Sequence, residues 1–237
     1  MLMNRFDVRV LLFFNHFANR WNWFDWLASR LYITNLTTCV PIVFLVWYAL
    51  FDRAEEGQLR KRHELLLGAT LLAAVAVLAA RLLALSVPFR PRPLWSPALH
   101  FHFPCQAKMI LFGWSSFPSD HMTLYVTLAT GILFVSRPLG GLALGWATVM
   151  GFLMMYLGVH WPTDLLAGAL LGVSVAHLAK IPAVRDAVRR LTTRWHREHP
   201  GLFFAALFLW TYEVATLFGD SRRLVWGLWH LIKCWRT

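Results

Sequence analysis

Two short segments carry the residues that could do chemistry. Ser116-Phe117-Pro118-Ser119-Asp120-His121 and Gly158-Val159-His160-Trp161-Pro162-Thr163-Asp164 each stand at the start of a long apolar run, and each brings one histidine to that boundary. Ionisable groups at the mouths of apolar helices are expensive to keep and mark function by default. Ser119 suits a helix N-cap and Asp120 the positive end of the helix dipole. The free backbone N–H groups of such a start would bind an anion, phosphate above all, with His121 facing it from the first turn. The plain alternative is a capped helix with an interfacial histidine. In the second segment Pro162 fits the first helical position, Asp164 the first turn, and His160 the residue before the cap. A carboxylate four residues beyond an imidazole can accept a hydrogen bond from one ring nitrogen. That fixes the tautomer and leaves the other nitrogen basic and nucleophilic. Two histidines and an aspartate are also a possible metal-ligand set, but the spacing matches no zinc signature and no metal is expected.

The elements that would position these groups are apolar. Of 237 residues, 58% are apolar and 15% charged, whereas an average soluble domain carries about 25% charged residues. With 13 Trp and 18 Phe, this composition suits a helical membrane protein with aromatic interfacial belts. The net charge of +11 falls in short clusters beside apolar runs, as topology signals and contacts to anionic lipid do. No base-reading motif is present, so nucleic acid is not an expected partner. Cys39, Cys105 and Cys234 match neither zinc spacing nor a disulfide framework and read as packing residues. The first residues do not read as a signal peptide, because Asp7 and Arg9 interrupt the apolar pattern and no small-residue cleavage site follows.

Six apolar runs read as spans: 35–51, 65–87, 119–136, 138–159, 164–179 and 201–218. The fold expected is all-α, a polytopic membrane bundle of about six spans with interfacial amphipathic helices at both ends, 4–34 and 221–237. One domain is expected over 1–237, with a core of about 1–180 and an extra terminal span and tail over about 200–237. Arg81 is the one charge in the second span, either functional or snorkelling to the interface. The prolines of Pro88-Phe89-Arg90-Pro91-Arg92-Pro93 end that span. A loop over 94–117, with a short helix near 104–113, contributes His100, His102 and Lys108, and 180–199 reads as a basic linker. Loops 52–63, 137 and 180–199 hold 4, 1 and 6 Lys and Arg, against 3 and none in 88–118 and 160–163. This places the histidine segments outside by the positive-inside rule. Counting both amphipathic ends on the outer side levels the totals at 11 and 11, so the orientation rests on the inter-helix loops.

Arg92-Pro93, Pro-Ser-Asp-His at 118–121 and Tyr-Leu-Gly-Val-His-Trp-Pro-Thr-Asp at 156–164 resemble, in order, the three signatures of the type-2 phosphatidic acid phosphatases. These are the membrane relatives of the vanadium haloperoxidases. The Ser-Phe-Pro-Ser-Asp-His form is most similar to the undecaprenyl-diphosphate phosphatase branch, and the resemblance covers roughly residues 1–180. It implies that His160 attacks phosphorus, Asp164 orients it, and His121 protonates the leaving oxygen. Arg92 and Ser119, with the helix start opened by Asp120, would bind the phosphate oxygens, and water would then hydrolyse the phosphohistidine. The family needs no cofactor and no metal.

Two positions depart from the pattern. Leu85 stands where the first signature has a lysine, with Arg81 about one helical turn away as the nearest cation in that span. Met154 stands where the third signature has an arginine, a role left to Arg90, Arg81 or Lys108. The resemblance implies an integral membrane phosphatase that removes the terminal phosphate of undecaprenyl diphosphate at the outer face of a bacterial inner membrane. Its expected partners are the lipid phosphate and membrane lipids. Another lipid phosphate, such as a phospholipid or lipid A, or a phosphoryl acceptor other than water, is the alternative chemistry. A non-catalytic lipid-phosphate binder or transporter is the alternative class, motivated by Met154.

Overall fold

The computed structural model describes residues 4–52, 56–104 and 113–235, and every regular element among them is helical. In chain order the helices are α1 (Arg5–Asn15), α2 (Asn22–Ile33), α3 (Asn35–Thr38), α4 (Val40–Phe51), α5 (Glu56–Ser86), α6 (Asp120–Leu133), α7 (Arg137–Tyr156), α8 (Pro162–Leu178), α9 (Pro182–Glu198), α10 (Pro200–Ala215) and α11 (Gly219–Trp235). Two short 3-10 turns, Pro93–Trp95 and Pro97–Leu99, lie between α5 and α6. Lys108 and most of the short helix expected near 104–113 lie outside the described residues.

The bundle is built around α6. Its Ser119 cap accepts the Met122 N–H at 3.3 Å, and the helix is buried continuously from Met122 to Ile132 between α5, α7 and α8. A helix enclosed on all sides must satisfy its own polar side chains. Thr123 does so by donating to the Ser119 carbonyl at 2.8 Å, and Thr127 by donating to the Thr123 carbonyl at 2.7 Å. Gly168 and Gly172, one turn apart on α8, let the two backbones touch. A Cβ at these positions would stand 2.5 Å from the Ser119 carbonyl oxygen and 2.6 Å from that of Thr123. The start of α8 is then stitched to the start of α6, since the Ser119 N–H donates to the Asp164 carbonyl at 3.1 Å. This close seam brings the two histidine segments to one place.

Arg62–Ser86 and Arg137–Tyr156 are each long and apolar enough to cross a bilayer. Two bent pairs, α8 with α9 at 71° and α10 with α11 at 86°, raise the number of candidate spans to four if each pair is one span. The α4 and α6 helices, also expected to span, have 12 and 14 residues, about 18 and 21 Å against a hydrocarbon core of about 30 Å. The stretch 180–199 is not the linker expected from its basic composition. It forms α9, started by Pro182 and anchored by buried Val188 and by the Arg185–Glu64 ion pair at 2.8 Å. On α10, Trp210 donates to the Thr70 carbonyl at 3.2 Å and Thr211 accepts from Trp47 at 3.1 Å, which fixes that helix against α5 and α4. Leu217 and Phe218, both in the left-handed region, turn the chain into α11, and the Glu213 carboxylate accepts the Ser221 N–H at 3.4 Å.

Candidate active site

His160 follows the end of α7, where the Met154 carbonyl accepts the Val159 N–H at 2.8 Å and lies 3.3 Å from the His160 nitrogen. Its ring is buried, with Nδ1 2.9 Å from the Ser116 carbonyl oxygen and Nε2 3.3 Å from Arg92 Nη1. A carbonyl oxygen only accepts, so Nδ1 carries the proton and Nε2 keeps its lone pair. Burial lowers the pKa of this ring; the neighbouring Asp164 carboxylate draws it partly back, and Arg92 lowers it further. The imidazole is therefore neutral at neutral pH.

The tautomer is set differently from the sequence expectation. Asp164 Oδ2 stands 3.6 Å from Nδ1, beyond a hydrogen bond, and accepts the Trp161 N–H at 2.9 Å instead. An acid in the third position of a helix folds back to cap its own start, and Asp164 does so before it reaches the ring. Its Oδ1 accepts from Arg90 Nη1 at 2.5 Å. Arg90, expected to help grip phosphate, is committed to Asp164, to Asp7 at 2.5 Å and to the Thr163 hydroxyl at 2.8 Å. Its guanidinium thus joins α1 to the start of α8 behind the His160 ring.

His121 stands across from this ring on α6. Its Nδ1 is 3.0 Å from Asp120 Oδ1, and Asp120 Oδ2 forms an ion pair with Arg81. Both oxygens of Asp120, expected beside the phosphate, are thus engaged with His121 and Arg81. Arg81 also lies over the Trp114 ring at 4.9 Å, while Leu85 is 84% exposed and faces away. Ser119, a further expected phosphate ligand, is wholly buried; its hydroxyl caps α6 and rests 4.0 Å from the Met154 sulfur. Met154 is itself fully buried, so a thioether fills the place where a cation was expected. Arg92 is buried, donates to the Val159 carbonyl at 2.9 Å, and its Nε has no hydrogen-bond partner among the described residues. Burial lowers the Arg92 pKa, chiefly against the attraction of Tyr32 and of Asp120.

Asp120, His121 and His160 place ligand atoms within 4.8 Å of one another. Both Asp120 oxygens are already paired, and the Arg92 guanidinium occupies the side of His160 that a cation would need. Guanidinium groups at Arg81 and Arg92 border this cluster, and such groups are suited to pairing with an anion. Sequence reasoning missed Asp7, Thr163 and the Ser116 carbonyl.

The profile of the PAP2 superfamily matches residues 64–184, just over half of the chain. The chain belongs to the PAP2 superfamily. It is similar to undecaprenyl-diphosphatase BcrC of Bacillus subtilis (strain 168), with 28% identity over 137 residues, which is 58% of this chain and 63% of the relative. It is 46% identical over 59 residues to putative undecaprenyl-diphosphatase YbjG of Escherichia coli (strain K12), covering 24% of this chain and 30% of that one. The matched stretches span less than two thirds of the length of either relative. Among solved structures, LpxE of Aquifex aeolicus shares the fold, with a TM-score of 0.55 and 18% identity over 76% of this chain and 99% of that one. This PAP2 protein therefore shares the fold of that solved structure and carries helices long and apolar enough to cross a membrane.

Proposed function

We propose that this protein removes the terminal phosphate of undecaprenyl diphosphate through a phosphohistidine on His160, without a metal. One observation carries the reading: a buried, neutral imidazole whose Nε2 lone pair faces the guanidinium of Arg92. The arginine would hold the phosphate oxygens while Nε2 attacks phosphorus in line. As the N–P bond forms, the bond to the bridging oxygen breaks, and His121, supported by Asp120, gives a proton to that oxygen. Water then attacks the phosphohistidine, His121 takes its proton, and inorganic phosphate leaves with the Nε2 lone pair restored. Arg81 would bind a phosphate oxygen from the other side, beside Asp120. The names of the relatives from Bacillus subtilis and Escherichia coli support the choice of substrate.

The same reading makes 1–237 one domain of about six spans in a bacterial inner membrane, with the site on the outer face. Exposed Phe13, Trp23, Trp26, Trp226 and Trp229 on the first two helices and the last suit interfacial placement at both ends. A second reading, a lipid-phosphate binder without turnover, is favoured by one observation: Met154 buried beneath Ser119 in place of a cation. Phosphate release from undecaprenyl diphosphate in detergent with EDTA present decides between them. Release by wild type and none by His160→Ala is the expected outcome. Full activity in His160→Ala refutes the mechanism, and lipid binding without release, with activity gained by Met154→Arg, establishes the binder.

A further inference from the structure

The first helix buries an acid that the family match does not cover, since Asp7 lies outside residues 64–184. Asp7, Leu11 and Asn15, spaced by four, form the buried stripe of α1, while Phe6 and Phe13 are exposed. An unpaired carboxylate in that position would be strongly unfavourable, and Asp7 is fully paired. Its Oδ1 accepts the Thr163 N–H at 2.9 Å; its Oδ2 accepts the Thr163 hydroxyl at 2.7 Å and Arg90 Nη2 at 2.5 Å. Arg90 Nη1 continues to Asp164 Oδ1 at 2.5 Å, and Asp164 Oδ2 lies 3.6 Å from the His160 ring. An unbroken line of contacts thus runs from α1 to the reacting nitrogen ring. At its other end α1 is held by Asn15, which exchanges hydrogen bonds of 2.6 and 2.9 Å with the His102 backbone.

The guanidinium of Arg90 is fixed because two carboxylates pull on different nitrogens. With Asp7 neutral, the planar fork is free to turn and take Asp164 by both nitrogens, drawing that carboxylate off the ring. A net positive charge would also be added beside an imidazole that must itself become positive as it bonds to phosphorus.

We propose that Asp7 is a positioning residue for phosphoryl transfer at His160, acting by holding Arg90 so that Arg90 places Asp164. This rests on the phosphatase reading above. The test compares Asp7→Asn, Arg90→Gln and the double variant for kcat and KM of phosphate release from undecaprenyl diphosphate, with Asn15→Ala as control. Asp7→Asn is expected to lower kcat about tenfold or more with KM within about twofold, and to add nothing in the Arg90→Gln background. Asn15→Ala, which loosens the same helix without touching Arg90, keeps kcat within about twofold, so a general loss of helix docking is told apart from positioning. Wild-type kcat in Asp7→Asn, losses that multiply in the double variant, or an equal loss in Asn15→Ala overturns the assignment alone. A wild type that releases no phosphate from any lipid substrate overturns the proposed function and this assignment with it. If Asp7→Asn does not fold, Asp7→Glu carries the test: it keeps the charge but displaces it by one methylene, and the same kcat loss at unchanged KM is required of it.

Discussion

In the proposed mechanism, in which His160 is the nucleophile, replacing Asp164 by asparagine measures how much of the chemistry depends on a carboxylate that does not hydrogen-bond that ring. The Asp164 side chain is fully buried and lies 3.6 Å from His160 Nδ1. Unit charges that close, at an effective dielectric near 20, attract by about 4 kcal/mol. That attraction is absent from the neutral ring and grows as the ring becomes cationic in bonding to phosphorus. The full amount would be worth about a thousandfold in rate. Arg90 shares the charge of Asp164 through the 2.5 Å bond, so the expected loss in kcat is about a hundredfold to a thousandfold. The Ser116 carbonyl keeps the Nδ1 proton in the variant, so the ring neither turns nor changes tautomer. KM should then stay within about threefold, the signature of an interaction made in the transition state. Asp7 still pairs with Arg90, which protects the variant from an uncompensated buried cation. Initial rates of phosphate release in detergent, with thermal unfolding as a control, give the answer. A folded Asp164→Asn protein within tenfold of wild type would refute the electrostatic account.

Two further outcomes follow from the same geometry. Because burial lowers the His160 pKa below the value near 6.5 of an unfolded chain, the unfolded state binds a proton that the native state refuses. Stability therefore falls as pH drops from about 6.5 through the folded pKa, and the drop in melting temperature from pH 7 to pH 5 should be smaller in His160→Gln than in wild type; an equal drop contradicts it. Gly168→Ala forces a Cβ to within 2.5 Å of the Ser119 carbonyl oxygen. It should destabilise by about 1–3 kcal/mol and slow turnover by parting the two histidine segments; an unchanged melting temperature would mean the seam is loose.

The sequence by itself determined the family and the all-helical class, and it named residues that meet in the candidate site. Apolar runs long enough for helices, and two histidine segments at their mouths, are properties of order along the chain, which periodicity and capping rules read directly. His160, His121, Asp164, Arg92 and Arg81 do converge, because the glycine pair on α8 draws that helix onto α6. What each neighbour binds was decided only by the tertiary structure. Asp164 and Arg90 were legible as charges near the site, but which charge a side chain meets depends on helices distant in sequence. Asp7, 156 residues from Thr163, takes the outer nitrogen of Arg90, so a side chain expected beside the phosphate is paired with two carboxylates. The Ser116 carbonyl could not be read at all, since a backbone oxygen leaves no trace in residue type. The basic stretch 180–199 read as a linker because its charges hide an amphipathic helix whose one buried residue, Val188, needs α5 beside it. Local patterns fix where helices start and which ends are polar; pairing between buried charges is a long-range choice that only the packed fold makes.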